Sequence, residues 1–133
     1  MVIADTSVWI PFFNDPASPE KRELDALIDA DDLALVGVVL AELIQGCRTS
    51  READTIISQL AGLRFLETTF SSWERGGELS FALRRKGVTL PLSDLIIAAL
   101  AFEHHCQVYT RDPHFELVPG LALHAVDRKR KGR

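Results

Sequence analysis

Cysteine and long hydrophobic runs are both scarce in this sequence. Its 133 residues include two cysteines, Cys47 and Cys106, without a CxxC spacing, which predicts two free thiols rather than a disulfide framework. The most apolar stretch, residues 33–44, is shorter than the roughly 20 residues that span a bilayer, and it contains Glu42. The first ten residues lack the basic start of a signal peptide. These absences predict a cytoplasmic protein that does not contact a membrane.

Basic residues are also few outside the last six positions. Five of the 15 basic residues lie in the segment RKRKGR at 128–133, and the other 127 residues hold 10 basic and 19 acidic side chains. An acidic body of this kind argues against a protein that binds nucleic acid by charge alone. Either the partner is not nucleic acid, or a cation lies among the acids.

The composition is that of one globular domain. Hydrophobic residues make up 47% and charged residues 26%, close to the average for soluble proteins. A chain of this length buries roughly two-thirds of its unfolded surface and needs no disulfide or structural metal to fold. With no internal repeat or linker, the sequence predicts a single domain over residues 1–127 and a basic C-terminal tail at 128–133.

Short apolar segments alternate with segments of helical spacing along the whole chain. The predicted strands are residues 2–5, 33–36, 64–67, 107–110 and 121–124. The strongest helix prediction runs from Asp94 to about His104 and is apolar on most sides, whereas the Gly76-Gly77 pair weakens the helix before it. Such alternation predicts an α/β fold with a central parallel sheet of four to five strands, covered on both faces.

Four acidic residues lie where this architecture brings strand ends together. Asp5 ends the first predicted strand, Asp112 closely follows the fourth, and Asp94 lies in the first turn of the apolar helix. Glu42 lies within another apolar helix, where an uncompensated carboxylate is costly. Because ligands of open parallel sheets bind beside the carboxyl ends of the strands, we expect these side chains to converge.

Each acid taken alone has an ordinary structural explanation. Asp5 and Asp94 suit the start of a helix, and Asp112 before a proline suits a turn. Glu42 on a solvent-exposed face could pair with Arg48 or another base. Their joint placement at one sheet edge is the informative feature.

Converging carboxylates predict a metal site. They repel one another, so some must hold protons, with raised pKa values, or bind a cation. Carboxylate oxygens favour Mg²⁺ or Mn²⁺, which also accept phosphate oxygens and activate water. A bound cation of this type reconciles an acidic body with a phosphodiester substrate.

Four short segments follow one another in a fixed order. They are VIADTSVW at 2–9, AELIQG at 41–46, LSDLIIA at 92–98 and TRDPHF at 110–115. Together they resemble the segments of PIN-domain ribonucleases, specifically the VapC toxin family of toxin–antitoxin pairs. The resemblance covers essentially the whole chain and implies a three-layer α/β/α sandwich.

The resemblance also implies an activity and roles for the four acids. It implies a Mg²⁺- or Mn²⁺-dependent endoribonuclease that cuts structured RNA, such as transfer or ribosomal RNA. Asp5 and Asp94 would be direct metal ligands, Asp112 would complete or tune the site, and Glu42 would bind metal or orient the attacking water. The family also implies a homodimer and a VapB-like antitoxin that lies across the active-site groove.

Several further residues are left with open roles. By the resemblance, Thr6, Ser7 and Thr110 would hydrogen-bond to the acids. The four histidines lack metal-ligand spacing and are predicted to be structural or surface groups. A core or dimer-contact role is predicted for Trp9, Phe12 and Phe13. The basic residues Arg84, Arg85, Lys86 and Arg111 fit either contacts with RNA phosphates or a solvated surface.

Three alternative functions can be compared with this prediction. A phosphatase with Asp5 as nucleophile normally has a second aspartate two residues later, where this chain has Ser7. A phosphoacceptor receiver domain needs a second acid paired with the one at Asp5 and a lysine directly after the last strand. The sequence has neither at these places. The remaining alternative is a catalytically silent PIN-like module that binds RNA or protein.

Overall fold

The centre of the molecule is a sheet of four short parallel strands, in a computed structural model that describes residues 1–126. The strands are β1 (Val2–Ala4), β2 (Leu33–Val36), β3 (Arg64–Leu66) and β4 (Gln107–Tyr109), in the order β3-β2-β1-β4. The two central strands, β1 and β2, are buried along their whole length. They are apolar throughout because neither face of the sheet contacts solvent there.

Six α-helices connect or flank the strands. They are α1 (Thr6–Asn14), α2 (Pro19–Asp29), α3 (Gly37–Gln45), α4 (Ser50–Leu60), α5 (Phe70–Arg85) and α6 (Leu92–His104), and a 3₁₀-helix spans Pro113–Leu117. Local sequence sets several helix starts: the side chains of Ser18, Thr49 and Thr69 each accept a backbone N–H of the first turn. Among residues 1–126, no helix combines the length and the apolar character that crossing a membrane requires.

The connections place helices on both faces of the sheet, as expected. From β1 to β2 to β3 the chain moves in one direction across the sheet, and from β3 to β4 it moves back past β1. Because such crossovers are right-handed, α1 to α4 cover one face and α5 and α6 the other. The three-layer α/β/α arrangement with a four-stranded parallel sheet is therefore confirmed.

The apolar helix α6 is the most deeply buried helix. Every residue from Leu95 to Ala101 is buried, which explains why its sequence shows no polar face. The aromatic residues Trp9 and Phe12 of α1 also lie in the core, as predicted. Both cysteines are free thiols, and Cys106 is buried.

Two local predictions differ from the structure. Residues 121–124 do not form a fifth strand, since only Leu123 forms a bridge, to Val108. The Gly76-Gly77 pair does not interrupt α5, because α5 packs closely on α6 and a Cβ atom on Gly76 would lie 2.5 Å from Ile96 Cδ1. The basic tail predicted at 128–133 lies outside the described residues.

A buried acid–histidine pair holds the segment after the 3₁₀-helix against the body. Glu23 of α2 is 2% exposed, and its Oε2 lies 2.5 Å from Nε2 of His124. The backbone N–H of His124 also donates to the carbonyl of Val108 in β4. The sequence prediction treated His124 as a structural or surface group, and this contact makes it structural.

Candidate active site

Asp5 lies at the carboxyl end of β1 and begins α1. Its Oδ1 accepts the Ser7 backbone N–H at 3.1 Å and the Ser7 hydroxyl at 2.6 Å. Its Oδ2 accepts the Thr110 hydroxyl at 2.9 Å, and the residue is only 5% exposed. Asp5 thus caps a helix and also presents a buried carboxylate at the sheet edge, so the structural and functional interpretations of this residue are both compatible with the geometry.

The end of β4 supplies the second part of the site. Strands β1 and β4 are neighbours, and the chain direction across the sheet reverses between them, which is the position where parallel sheets bind ligands. Thr110 follows β4, and its Oγ1 accepts the Asp112 backbone N–H at 2.8 Å while donating to Asp5. The hydroxyl of Thr110 therefore links two of the predicted acids directly.

Asp94 and Asp112 face each other around His114. The Nδ1 atom of His114 lies 3.3 Å from Asp94 Oδ2 and 3.2 Å from Asp112 Oδ1. Because ionised carboxylates only accept hydrogen bonds, Nδ1 must carry the proton in this arrangement. Asp112 also begins the 3₁₀-helix and accepts the His114 backbone N–H at 2.9 Å, which fixes the distance between the two residues.

Glu42 reaches the site from α3. The Thr6 hydroxyl donates to Glu42 Oε1 at 2.6 Å, and the half-buried carboxylate keeps its second oxygen for another contact. Thr6 follows Asp5 directly in the chain, so this hydrogen bond ties α3 to the end of β1. Among the described residues, Glu42 forms no ion pair with Arg48, the partner that the solvent-exposed alternative invoked.

Burial raises the pKa of two of these acids. The pKa of Asp5 rises from 3.8 to about 6, mainly because the carboxylate is desolvated, although hydrogen bonds from Ser7 and Thr110 oppose the rise. The pKa of Asp94 is also raised, first by burial and then by the charges of Asp112 and Glu42. The sequence predicted raised pKa values, but as a result of repulsion between the acids. In the structure desolvation is the larger cause, and repulsion is secondary.

The charges of all four acids are coupled through Asp94. The charge of Asp94 raises the pKa of Asp5, and the charges of Asp112 and Glu42 raise the pKa of Asp94 itself. Coulomb effects of this kind require the groups to be near one another. The geometry agrees for three of them: Thr110 hydrogen-bonds to Asp5 and to the backbone of Asp112, and His114 lies beside Asp112 and Asp94.

The donor set suits a hard divalent cation. One atom each from Asp94, Asp112 and His114 lie within 4.8 Å of one another, and all three residues are partly exposed. The two carboxylates supply oxygen ligands of the type that Mg²⁺ or Mn²⁺ prefers, and His114, with its proton on Nδ1, orients them without ligating the cation. This triplet includes Asp112 rather than Asp5, whose two oxygens already accept hydrogen bonds from Ser7 and Thr110.

His114 is the site residue that the sequence argument missed. The sequence prediction classed it as a structural or surface group because no metal-ligand spacing such as HExxH surrounds it. The available signal was its position two residues after Asp112, in the segment TRDPHF that was singled out for its acid. A histidine so close to a candidate acid needs no second histidine at fixed spacing to reach the site.

An apolar groove leads away from the acidic cluster between α1, α3 and α4. Thr6 and Glu42 line its inner end, and Ile10, Phe13 and Ile56 are among the residues that continue it. Ile10 is 50% exposed, although it is a large aliphatic residue next to the core residue Trp9. The groove therefore offers both an apolar wall and contact with a carboxylate of the cluster.

Comparison with known protein families agrees with this geometry. The family model of the PIN domain matches residues 2–121, which include all four acids and His114. The chain belongs to the PIN-domain family. This membership confirms the resemblance noted in the four sequence segments, and it accounts for an acidic cluster on a four-stranded parallel sheet.

The related sequences include several ribonucleases of the VapC type. The chain is 30% identical to Ribonuclease VapC5 of Mycobacterium tuberculosis over 129 residues, which cover 90% of this chain and 89% of that protein. It is 26% identical to Ribonuclease VapC2 of Rickettsia felis, with 93% of this chain and 96% of that protein covered. The similarity therefore extends over nearly the full length of both relatives.

A solved structure has the same fold. The VapBC2 complex from Rickettsia felis, bound to a DNA fragment from its promoter, contains a chain that matches with a TM-score of 0.81 at 23% identity. The match covers 96% of this chain and 100% of that chain. It supports the arrangement of strands and helices on which the acidic cluster rests.

Proposed function

We propose that this protein is a metal-dependent endoribonuclease and the toxin of a toxin–antitoxin pair. The observation that carries the proposal is the convergence of four acids from separate elements on the switch point of the sheet, with Asp94 coupled to the other three. Membership of the PIN-domain family and relatives that are named VapC ribonucleases support the same activity.

Three carboxylates and one imidazole have distinct roles in this proposal. Asp94 and Asp112 hold Mg²⁺ or Mn²⁺, and Asp5 adds its charge at the buried side of the cluster. When bound, such a cation lowers the pKa of a water molecule and neutralises charge on the attacked phosphate. His114 donates from Nδ1 to Asp94, and its backbone N–H donates to Asp112, so that both carboxylates are ordered before RNA arrives.

Glu42 is the residue best placed to handle the attacking water. Its Oε1 is fixed by the Thr6 hydroxyl, which leaves Oε2 to accept a proton or to orient a water molecule toward the phosphate. The groove beside it is open, so a phosphodiester can approach from the Thr6 side. We assign Glu42 as general base or water-orienting residue, Asp94 and Asp112 as the direct metal ligands, and Asp5 as the acid that adds negative charge beside them.

The biological context follows from the relatives. Several solved relatives are toxin–antitoxin complexes, and one structural relative is described as a sarcin-ricin loop cleaving toxin. We therefore propose structured RNA, either ribosomal or transfer RNA, as the substrate and the cytoplasm as the location. We also propose that the chain acts as a homodimer and is silenced by a VapB-like antitoxin.

An apolar antitoxin segment would occupy the groove between α1, α3 and α4. The groove presents Ile10 and Phe13 to an apolar side chain, and a basic residue at the end of the segment would meet Glu42. Binding there would cover the acidic cluster and would explain how the toxin is silenced. The negative charge of the cluster would then attract both the metal ion and the basic residue of the antitoxin.

The activity test uses end-labelled transfer and ribosomal RNA with purified protein. We expect discrete fragments in Mg²⁺ or Mn²⁺ and intact RNA after EDTA is added. Sequencing the fragment ends then locates the cut. Intact RNA of both kinds from a folded protein that binds metal would contradict the proposal and favour the silent binding module.

The antitoxin test compares two isoleucines that are exposed to a similar degree. Co-purification uses the small protein encoded beside the gene for this chain. Ile10→Lys should abolish capture of that protein, whereas Ile57→Lys, 42% exposed on α4 and outside the groove, should not. Equal capture by both variants would place the antitoxin elsewhere.

A further inference from the structure

Residues 122–124 run beside β4 in the same direction as that strand. The backbone N–H of Val108 donates to the carbonyl of Ala122, and the N–H of His124 donates to the carbonyl of Val108. These two hydrogen bonds form a parallel bridge. Because β4 runs toward the acidic cluster, the chain beyond His124 also heads for the carboxyl edge of the sheet.

His124 fixes the position of this segment. Its Nε2 lies 2.5 Å from Oε2 of the buried Glu23, and its ring packs edge-on against Tyr109, with the ring centroids 5.3 Å apart. Two residues later, Val126 packs on the main apolar core. The chain is therefore held against the body as far as Val126, and the residues that follow it start from a defined place.

That place is beside the proposed active site. Thr110 and Asp112 line the same cleft as Leu123 and His124. Thr110 links two of the clustered acids, and Asp112 is one of them. Each further residue of the chain adds at most about 3.6 Å, so positions 127–133 stay within roughly 25 Å of Val126. The basic tail at 128–133 is therefore short enough to remain near this edge of the sheet.

The basic tail opposes the charge of the body. Five of its six residues are basic, whereas residues 1–127 hold 19 acidic and 10 basic side chains. The net negative charge of the body repels an RNA that approaches the acidic cluster, and bound divalent cations offset only part of it. Cations of the chain that neutralise phosphates and release their counterions supply the missing attraction.

We propose that the basic tail is an RNA-binding arm that contacts phosphates on either side of the one that is attacked. The proposal deepens the nuclease function and rests on it for the identity of the ligand. In this account the acids carry out the reaction, and the tail holds the substrate. The tail therefore contributes to RNA affinity and leaves the rate of the chemical step unchanged.

Several acids near the cleft already have partners within the chain, which favours RNA as the ligand of the tail. Glu23 pairs with His124, and Asp112 accepts a backbone N–H. Oε2 of Glu20 lies 4.0 Å from Nε of Arg111. Three of the five basic tail residues are arginines, whose planar guanidinium groups bind two phosphate oxygens at once.

Binding of one purified transfer RNA in EDTA measures the tail without cleavage. The tail variant replaces all five basic residues by glutamine: Arg128→Gln, Lys129→Gln, Arg130→Gln, Lys131→Gln and Arg133→Gln. It should bind at least about tenfold more weakly than wild type at roughly 0.1 M salt. The slope of log affinity against log salt should fall by about 2–4, because each phosphate contact contributes about 0.7–0.9. Circular dichroism checks that the variant is folded.

Two single variants compare the tail with the opposite edge of the sheet, charge for charge. Arg130→Gln should lower the salt slope by about 0.7–0.9, the value of one phosphate contact. Arg64→Gln removes an exposed cation at the start of β3 and should leave both affinity and slope unchanged. An equal effect of the two variants would mean that RNA responds to the total charge of the protein, and this result would overturn the arm.

Cleavage kinetics separate binding from chemistry. The tail variant should raise KM at least about tenfold and keep kcat, because the arm holds the RNA equally well before and in the transition state. A lower kcat at unchanged KM would contradict the arm, since the tail would then act in the reaction. Faster cleavage by the tail variant would also contradict it, because the tail would then cover the acidic cluster as an inhibitor.

Crosslinking tests where the tail lies on the RNA. In a Cys47→Ser background, a benzophenone is attached at Gly132→Cys, at Glu116→Cys in the cleft or at Arg64→Cys at the opposite edge. We expect the first two to crosslink to neighbouring nucleotides of the same transfer RNA, and the third to crosslink elsewhere or not at all. Crosslinks from Gly132→Cys that avoid the nucleotides reached from Glu116→Cys would contradict the placement.

The outcomes also distinguish this inference from the nuclease proposal. If the tail variant binds like wild type and the wild type cuts RNA, the arm is wrong and the nuclease stands. If binding depends on the tail and the wild type cuts no RNA, the nuclease is wrong and the arm stands. A wild-type protein that binds no RNA would contradict both.

Discussion

Asp5 shows how one buried carboxylate can serve both folding and chemistry. It accepts three hydrogen bonds, from two groups of Ser7 and from Thr110, and yet burial raises its pKa to about 6. The hydrogen bonds do not compensate for the lost hydration of the charge. Asp5 therefore costs stability when it is ionised, and a cation bound near it would reduce this cost.

The raised pKa of Asp5 predicts how metal-free stability depends on pH. The folded state favours the protonated form, so its stabilising effect is complete below pH 4 and is lost as the pH rises through about 6. In EDTA at pH 7.5, Asp5→Asn should therefore be more stable than wild type, by about 1–3 kcal/mol. At pH 4 this advantage should disappear.

Urea unfolding at the two pH values measures this difference. Asp54→Asn, which removes an exposed acid on α4, is the matched control and should behave like wild type at both pH values. An Asp5→Asn variant that is less stable than wild type at pH 7.5 would show that the cap and hydrogen bonds outweigh the burial of charge.

At the scale of residues, the sequence predicted a group of acids at one sheet edge but not the residues that contact them. A carboxylate at a strand end or inside an apolar helix is unusual in a sequence. Four acids could therefore be selected as candidates: Asp5, Glu42, Asp94 and Asp112. His114 was missed because its role depends on a turn that points the ring back between two carboxylates. The pairing of Glu23 with His124 was not predicted because the two residues lie 101 positions apart in the sequence.

The α5–α6 pair explains a glycine that sequence propensity alone counts as unfavourable. A Cβ atom on Gly76 would lie 2.5 Å from Ile96 Cδ1, so the Ile96 side chain must leave its position or the two helices must separate slightly. Gly76→Ala should lower the free energy of unfolding by about 1 kcal/mol, since this strain exceeds the gain in helix propensity.

A second substitution separates strain from propensity. Ile96→Val removes Cδ1, so in that background Gly76→Ala should be neutral or stabilising, and chemical denaturation of the four proteins gives the coupling. The same loss of stability in both backgrounds would mean that contact with Ile96 does not explain the glycine.

At the scale of elements, strands and helices were predictable where the local sequence determines their type or their ends. Pro19 after Ser18 marks the start of α2, and the apolar run of α6 marks a buried helix. The continuity of α5 depended on packing against α6, which no local pattern contains. The segment 121–124 has strand composition, but it stays outside the sheet except for the bridge between Leu123 and Val108.

At the scale of the whole molecule, the proposed metal site predicts that a divalent cation stabilises this acidic protein. Because binding to the folded state alone stabilises it, Mg²⁺ or Mn²⁺ at ten times the dissociation constant should add roughly 1.4 kcal/mol. For a domain of this size the melting temperature should rise by about 3–5 °C. Differential scanning fluorimetry with and without metal measures the shift.

The same melting experiment includes its own specificity control. Asp112→Asn should lose most of the shift because it removes one of the two clustered carboxylates, whereas Asp54→Asn should keep it. If the melting temperature of the wild-type protein does not change at saturating metal, the proposed metal site is wrong. At this scale the parallel sheet with helices on both faces was predictable because strands and helices alternate along the chain, whereas the exposure of Phe70, Trp73 and Phe81 on α5 was not.

The central claim is that the acidic cluster cuts RNA, and the cleavage rate of Asp94→Asn tests it most directly. Asp94 is the residue whose charge is coupled to the other three acids. In Mg²⁺ or Mn²⁺, Asp94→Asn should cut the target RNA at least about 100-fold more slowly than wild type while folding normally, and Asp54→Asn should cut at the wild-type rate. Cleavage by Asp94→Asn at the wild-type rate would contradict the account.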